Sequence, residues 1–362
     1  MPAPVLTLAD KLERTMVRTL LGALPEGMQR SLAGGTPVVI DGQTLDASLQ
    51  FVLAWRARTK RPGLVAGAPN AARAALRRDT AVGRPASLPA VVVRDLVIDG
   101  AAGPLAARHY APGGTGARGA PILVYLHGGG FVVGDLETHD APCRELCAQA
   151  AMHVLSVDYR LAPEHPFPAA IDDTIAAVRW AARHGATLGG DPDRICLGGD
   201  SAGANLAVVA TMCERDLPVV AQLLLYPPTD AVTVRPSHAL FDTGFFLSRD
   251  DREAFTRHYL DGTGVSRDDP RVSPLYGDLT DLPPAVLVTA GFDILRDESD
   301  ALAAALKAAG TPVLHLREKA LPHGFANMIG VSETARRALG RAAREWRRTV
   351  LAQPSRARET HT

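Results

Sequence analysis

Residues 194–213 read RICLGGDSAGANLAVVATMC. A short β-rich run, 194–199, leads into Gly199-Asp200-Ser201-Ala202-Gly203, and a helix-forming segment follows at once. A G-x-S-x-G pentapeptide has chemical meaning in this strand–turn–helix setting. A reacting serine must stand on a sharp, strained turn with its hydroxyl exposed, so the residues two positions away must be nearly free of side chain. The N-terminus of the following helix favours negative charge that develops beside it. The competing reading is a glycine-containing strand-to-helix turn of a nucleotide-binding fold. No G-x-G-x-x-G or Walker sequence supports it.

Outward from this turn, the chain from Ala90 onward alternates strand and helix. The runs at 90–98, 105–110, 121–127, 153–159, 194–199, 221–226, 285–290 and 312–317 read as strands. The first two suggest a hairpin-like edge. Most of the later ones are nearly continuous apolar runs, as expected of strands buried on both faces of a parallel sheet. Helices are expected at 139–151, 168–185, 202–214, 298–309 and 332–349, which gives a mostly parallel, eight-stranded α/β sheet flanked by helices. After Tyr226 about 60 residues pass before the next strand, too many for an ordinary connection, and they predict an insertion above the sheet. Residues 1–88 are helical in pattern. Leu12, Met16, Leu20 and Leu24 mark one amphipathic helix, Leu45, Leu49, Val52 and Leu53 a second, and Pro69-Asn70 opens a third. The expected division is an N-terminal cap part (1–88), a catalytic core (89–228 and 271–352), a cap insertion (229–270) and a tail (353–362). The 113–119 segment reads as a flexible loop and the tail from Gln353 as disordered.

The 362 residues carry 39 basic and 39 acidic side chains, so no global charge points to nucleic acid, an anionic membrane or acidic substrates. No stretch approaches the ~18 apolar residues of a membrane-spanning helix, so no stable membrane insertion is expected. The N-terminal MPAPVLTLADKLER has no basic start before an apolar run, which predicts a cytoplasmic protein. Cys143, Cys147, Cys196 and Cys213 have no partner pair at metal-ligand spacing and are expected to be buried, reduced thiols.

The strand at 121–127 ends in His127-Gly128-Gly129-Gly130-Phe131. Consecutive glycines let backbone N–H groups turn toward a ligand oxygen, as acyl transfer requires. The expected oxyanion donors are Gly128, Gly129 and Ala202. The strand at 285–290 runs into Gly291-Phe292-Asp293, which sets a carboxylate at a strand end. Asp297 and Glu298 compete with it and are expected instead to cap or salt-bridge the next helix. After the last strand comes Pro322-His323-Gly324. The order serine, acid, histidine makes Ser201 the nucleophile, Asp293 the acid and His323 the base.

Together HGGGFVVGD (127–135), DYRLAPEHPFPAA (158–170), GGDSAGANLA (198–207), GFDILRDE (291–298) and PHGF (322–325) resemble the hormone-sensitive lipase family of carboxylesterases, in its GDSAG group. The resemblance spans about 120–330. Ile294 stands where the family usually has Pro, and Ala204 where a further Gly is common; neither removes a reacting group. The resemblance implies an α/β-hydrolase fold with a helical cap, short- to medium-chain acyl esters as substrates, no metal or cofactor, and a homodimer. It also implies scaffolding roles for Asp158, Arg160 and Glu164. Phe131, Asp200, Phe245 and Phe246 are expected around the substrate, with Asp200 also orienting neighbouring loops and with cap core an equal alternative for Phe245 and Phe246. An interfacial lipase or an amidase of the same fold is an alternative. So is a non-catalytic binding protein, as in related plant hormone receptors that lose the triad, although His323 is intact here. The Leu12/Met16/Leu20 stripe is expected in the cap core rather than at a membrane.

Overall fold

In the computed structural model, which describes residues 6–65, 67–114 and 117–354, the chain opens with four helices and a small hairpin. These are α1 (Leu8–Ala23), α2 (Glu26–Leu32), the hairpin β1 (Val39–Ile40) and β2 (Gln43–Thr44), α3 (Ala47–Arg58) and α4 (Pro69–Val82). Then come β3 (Val92–Gly100), β4 (Gly103–Ala111), β5 (Ala120–Leu126), α5 (Asp140–Ala150), β6 (His153–Val157), α6 (Ala169–His184), β7 (Gly190–Asp200), α7 (Ala202–Cys213) and β8 (Val219–Leu225). The chain closes with α8 (Pro236–Leu240), α9 (Arg249–Leu260), β9 (Ala285–Phe292), α10 (Arg296–Ala308), β10 (Val313–Pro322) and α11 (Glu333–Leu351).

All eight expected strands form one sheet, in the order β10-β9-β8-β7-β5-β6-β4-β3. The β3–β4 hairpin and the β4–β6 pair are antiparallel; the other pairs are parallel. The pleat divides the core in two. In β5, Ile122, Val124 and Leu126 pack in the layer holding Val178 of α6, Leu206 of α7 and Leu302 of α10. Leu123 and Tyr125 face the opposite layer, with Leu146 of α5 and Leu339 and Trp346 of α11. A strand buried on both faces cannot alternate polar and apolar residues, which is why β5, β8 and β9 read as apolar runs. Ser201, Asp293 and His323 directly follow β7, β9 and β10, at the carboxyl edge where ligands of such sheets bind. Residues of α1, α3, α4 and the segment after β8 border a cavity at that edge.

Two expectations need correction. Leu12 of the expected α1 stripe faces outward, 63% exposed, and Met16 is only half-buried, while Val17 is buried. Polar contacts seat α1 instead, with Glu13 accepting from Trp55 Nε1 at 3.1 Å and from the Arg61 guanidinium. The side chain of Leu20 lies outside the described residues. Cys213, at the end of α7, is exposed, unlike the buried Cys143, Cys147 and Cys196. The β1–β2 hairpin and α2 had no signal of their own, being only two-residue strands and a seven-residue helix. The tail from residue 355, and residues 115–116 of the 113–119 loop, lie outside the described residues. Among the described residues no helix is long and apolar enough to cross a membrane.

Candidate active site

Ser201 sits between the last residue of β7 and the first of α7, with φ 51° and ψ −121°. A β-carbon-bearing residue at positive φ is strained, and the surroundings must hold it there. The Ser201 N–H donates to the Leu225 carbonyl at 2.8 Å, which ties the turn to β8. Packing completes the constraint. A Cβ on Gly203 would overlap the carbonyl oxygen of Leu126, so only glycine lets α7 start this close to β5. The turn therefore presents the hydroxyl at a helix N-terminus, where the aligned peptide dipoles favour negative charge.

His323 Nε2 lies 2.9 Å from Ser201 Oγ, and His323 Nδ1 lies 2.8 Å from Asp293 Oδ2. The other Asp293 oxygen accepts the Leu295 N–H at 2.8 Å, so the carboxylate is held at both ends. Asp293 is fully buried. The edge of Tyr226 packs on the His323 ring, with centroids 4.9 Å apart. The competing carboxylates are engaged elsewhere. Asp297 accepts from the Ser237 N–H at 2.8 Å and from Arg296 Nε at 2.9 Å. Glu298 accepts the Thr229 N–H at 2.8 Å and pairs with Arg252.

The glycine run differs from expectation in one respect. The N–H of Gly128 donates to Asp200 Oδ1 at 2.9 Å, so it is not free for an oxyanion. The N–H groups of Gly129, Gly130 and Ala202 find no acceptor among the described residues. Of the expected donors, the N–H groups of Gly129 and Ala202 are therefore open and that of Gly128 is taken, while the N–H of Gly130, not expected as a donor, is open too. Gly129 adopts φ +125°, open to glycine alone, and a Cβ there would run into the Val133 carbonyl.

Asp200 borders the cavity and holds this loop. It is 2% exposed, and the same Oδ1 accepts from the Tyr125 hydroxyl at 2.7 Å and lies 3.3 Å from His139 Nε2. Burial pushes its carboxyl up, but His139, Tyr125 and the Gly128 N–H outweigh this and hold it at about 2. Neither His139 nor Asn327, whose Nδ2 lies 2.8 Å from the same imidazole nitrogen, carries a local signal in sequence. They come from α5's approach and the turn after His323, and only the fold unites them.

Ser201 and His323 line a cavity of about 280 Å³ roofed by Val17, Phe51, Trp55 and Leu76 on one side and Phe255 and Tyr259 on the other. Phe131 and Phe246 border it; Phe131 stacks on Tyr259 with ring centroids 4.0 Å apart. Phe245 does not border it. Its ring packs against Phe241 and Phe292, because the 241–246 turn sends the two neighbouring phenylalanines in different directions. Asp158, Arg160 and Glu164 do not pair with one another. Arg160 binds Asp173 at 2.8 Å and Glu164 binds Arg73 at 2.6 Å. Burial and the nearby Asp135 raise Asp158 to about 6.

A family model described as alpha/beta hydrolase fold matches residues 123–327. The chain belongs to the family of hormone-sensitive lipase-like esterases. Among curated members of the family, it is 44% identical over 316 residues to the carboxylic ester hydrolase LipN of Mycobacterium tuberculosis, covering 84% of this chain and 83% of LipN. It is 42% identical over 238 residues to the carboxylesterase NlhH of the same organism, covering 64% and 75%. Among family structures, a thermostable esterase from Pseudomonas putida superposes with a TM-score of 0.79 at 30% identity, over 84% of this chain and 98% of that one. The ester hydrolase EH1AB1 from the Lake Arreo metagenome does so at 0.77 and 36%, over 90% and 98%.

Proposed function

We propose that this chain is a serine carboxylesterase for short- to medium-chain acyl esters, working through Ser201, His323 and Asp293. The observation that carries the reading is the relay of 2.8 and 2.9 Å contacts from Asp293 through His323 to Ser201 beneath an apolar cavity. Ser201 Oγ attacks the ester carbonyl carbon while His323 Nε2 takes its proton. The carbonyl oxygen becomes an oxyanion and accepts from the N–H groups of Gly129, Gly130 and Ala202. Asp293 fixes the imidazole tautomer and stabilises the imidazolium. The tetrahedral intermediate collapses, the C–O bond to the alcohol breaks, and His323 returns the proton to the leaving alkoxide. Water, deprotonated by His323, then releases the acid from the acyl-enzyme.

Phe131 and Phe246 contact the substrate in this reading. Residues 1–88 and 229–270 form the cap over a core of 89–228 and 271–352. The buried free thiols of Cys143, Cys147 and Cys196 suit a reducing, cytoplasmic compartment. The exposed edge of the sheet at β10, with Leu314 40% exposed, supports pairing of two copies. The test of function is a kcat/KM profile across acyl chain lengths beside matched amides. Turnover of esters that is greatest at short to medium chains supports the proposal; preferential cleavage of the amides, or none of either, contradicts it.

A further inference from the structure

The cavity above Ser201 is mostly apolar, yet the α9 face turned toward it carries a guanidinium. Arg252, Phe255, Thr256 and Tyr259 fall at helical i, i+3, i+4, i+7 spacing and all border the cavity. Arg252 is engaged through one nitrogen: Nη2 donates to the Asp230 carbonyl oxygen at 2.6 Å and to Glu298 Oε2 at 3.1 Å. Its Nε and Nη1 meet no acceptor among the described residues and are not fully buried, while the side chain borders the cavity. Arg56 and Arg61, the other arginines at the cavity, are bound to Asp79 and Glu13.

The charges around Arg252 decide what its open edge can accept. Glu298 is fully buried and offsets the guanidinium, and Asp230 is paired with Arg235 at 2.8 Å. Two carboxylates and two guanidiniums sum to nearly zero. An added carboxylate would lose its hydration and face Asp230 and Glu298 as well as Arg252. An uncharged oxygen needs only the N–H donors, and they are there.

We propose that Arg252 determines specificity by donating to an uncharged oxygen acceptor, such as a ketone or ether oxygen, carried by the ester at a distance from the scissile carbonyl. This rests on the esterase reading of the same cavity. A donor set inside an apolar site rejects the analogue that lacks the acceptor, because the donor is then left unpaired. A hydrogen bond to a charged group corresponds to roughly 10- to 100-fold in kcat/KM.

The test uses the full-length protein and isosteric pairs: p-nitrophenyl levulinate against p-nitrophenyl pentanoate on the acyl side, and methoxyethyl butyrate against butyl butyrate on the alcohol side. The expected result is that one pair favours its oxygenated member by roughly 10- to 100-fold, with p-nitrophenyl hemisuccinate poorer than levulinate. Arg252→Met alone strands the buried Glu298 carboxylate and endangers folding, so the variants are Arg252→Lys, which keeps a charge but loses the planar edge, and the double change Arg252→Met with Glu298→Gln. In the double variant the ratio falls to about one, a loss that a merely structural role would spread over both members. Turnover without discrimination in either pair, or a ratio that stays at its wild-type value in both variants, overturns this inference alone. Failure to hydrolyse any ester overturns the esterase reading and this one with it.

Discussion

Asp200 offers the most detailed check on how the site is held. Its carboxyl is lowered from the ordinary 3.8 to about 2 in a position 2% exposed. At ~1.4 kcal/mol per unit, ionisation in the fold contributes about 2 kcal/mol of stability. Because the folded value is depressed, that contribution is present above pH 3.8 and is lost as the pH falls toward about 2. Asp200→Asn keeps an oxygen for Gly128 and Tyr125 but removes the charge. It should cost about 2 kcal/mol at neutral pH, with the gap to wild type closing in acid, and should leave kcat within about tenfold. Asp200→Ala also strands the Gly128 N–H and the Tyr125 hydroxyl. At ~1–3 kcal/mol for each orphaned donor, it should cost about 4 kcal/mol. It also frees the loop that aims Gly129 and Gly130, so kcat should fall ~10²-fold or more with KM little changed. Urea unfolding and steady-state kinetics on p-nitrophenyl butyrate read both effects. Equal behaviour of the two variants, or a kcat for Asp200→Ala within about threefold of wild type, would show that Asp200 does not hold the loop.

Asp293→Asn should lower kcat about 10⁴-fold through the wrong imidazole tautomer. Asp297→Asn, whose carboxylate holds Ser237 and Arg296, should change it only a few-fold; the same esterase assay separates them. Gly203→Ala forces a methyl into the Leu126 carbonyl and should destabilise by about 1–3 kcal/mol in thermal or urea unfolding, with an unchanged midpoint counting against the elbow packing. Leu12→Ala, on the outer face of α1, should stay within ~0.5 kcal/mol of wild type, while Leu49→Ala, fully buried in α3, should cost about 2–5.

How much of this was legible in the sequence differs by feature. The eight strands and the order of Ser201, Asp293 and His323 were readable because apolar runs, turn glycines and strand ends are local signals. Which N–H groups of the glycine run are open was not readable. Three consecutive glycines look alike in sequence, and only the approach of the Asp200 carboxylate, across the β5–β7 pair, decides which N–H is taken. Phe245 and Phe246 are likewise equivalent until the turn assigns one to Phe241 and Phe292 and the other to the cavity. The α1 stripe misled for a different reason. Periodicity marks an amphipathic helix but not which face is covered, and Glu13 with Arg61 and Trp55 settled that against Leu12. His139 and Arg252 carried no local signal at all, since their partners are 61 and 46 residues away, at Asp200 and Glu298.

Covalent trapping distinguishes Ser201 as the nucleophile from every other side chain. The full-length protein is treated with diethyl p-nitrophenyl phosphate, and intact and peptide masses are recorded beside residual esterase activity. A single diethylphosphoryl adduct on Ser201 is expected, formed in step with loss of activity and absent from Ser201→Ala. Esterase activity that survives in Ser201→Ala, or an inactivating adduct on another residue, would contradict it.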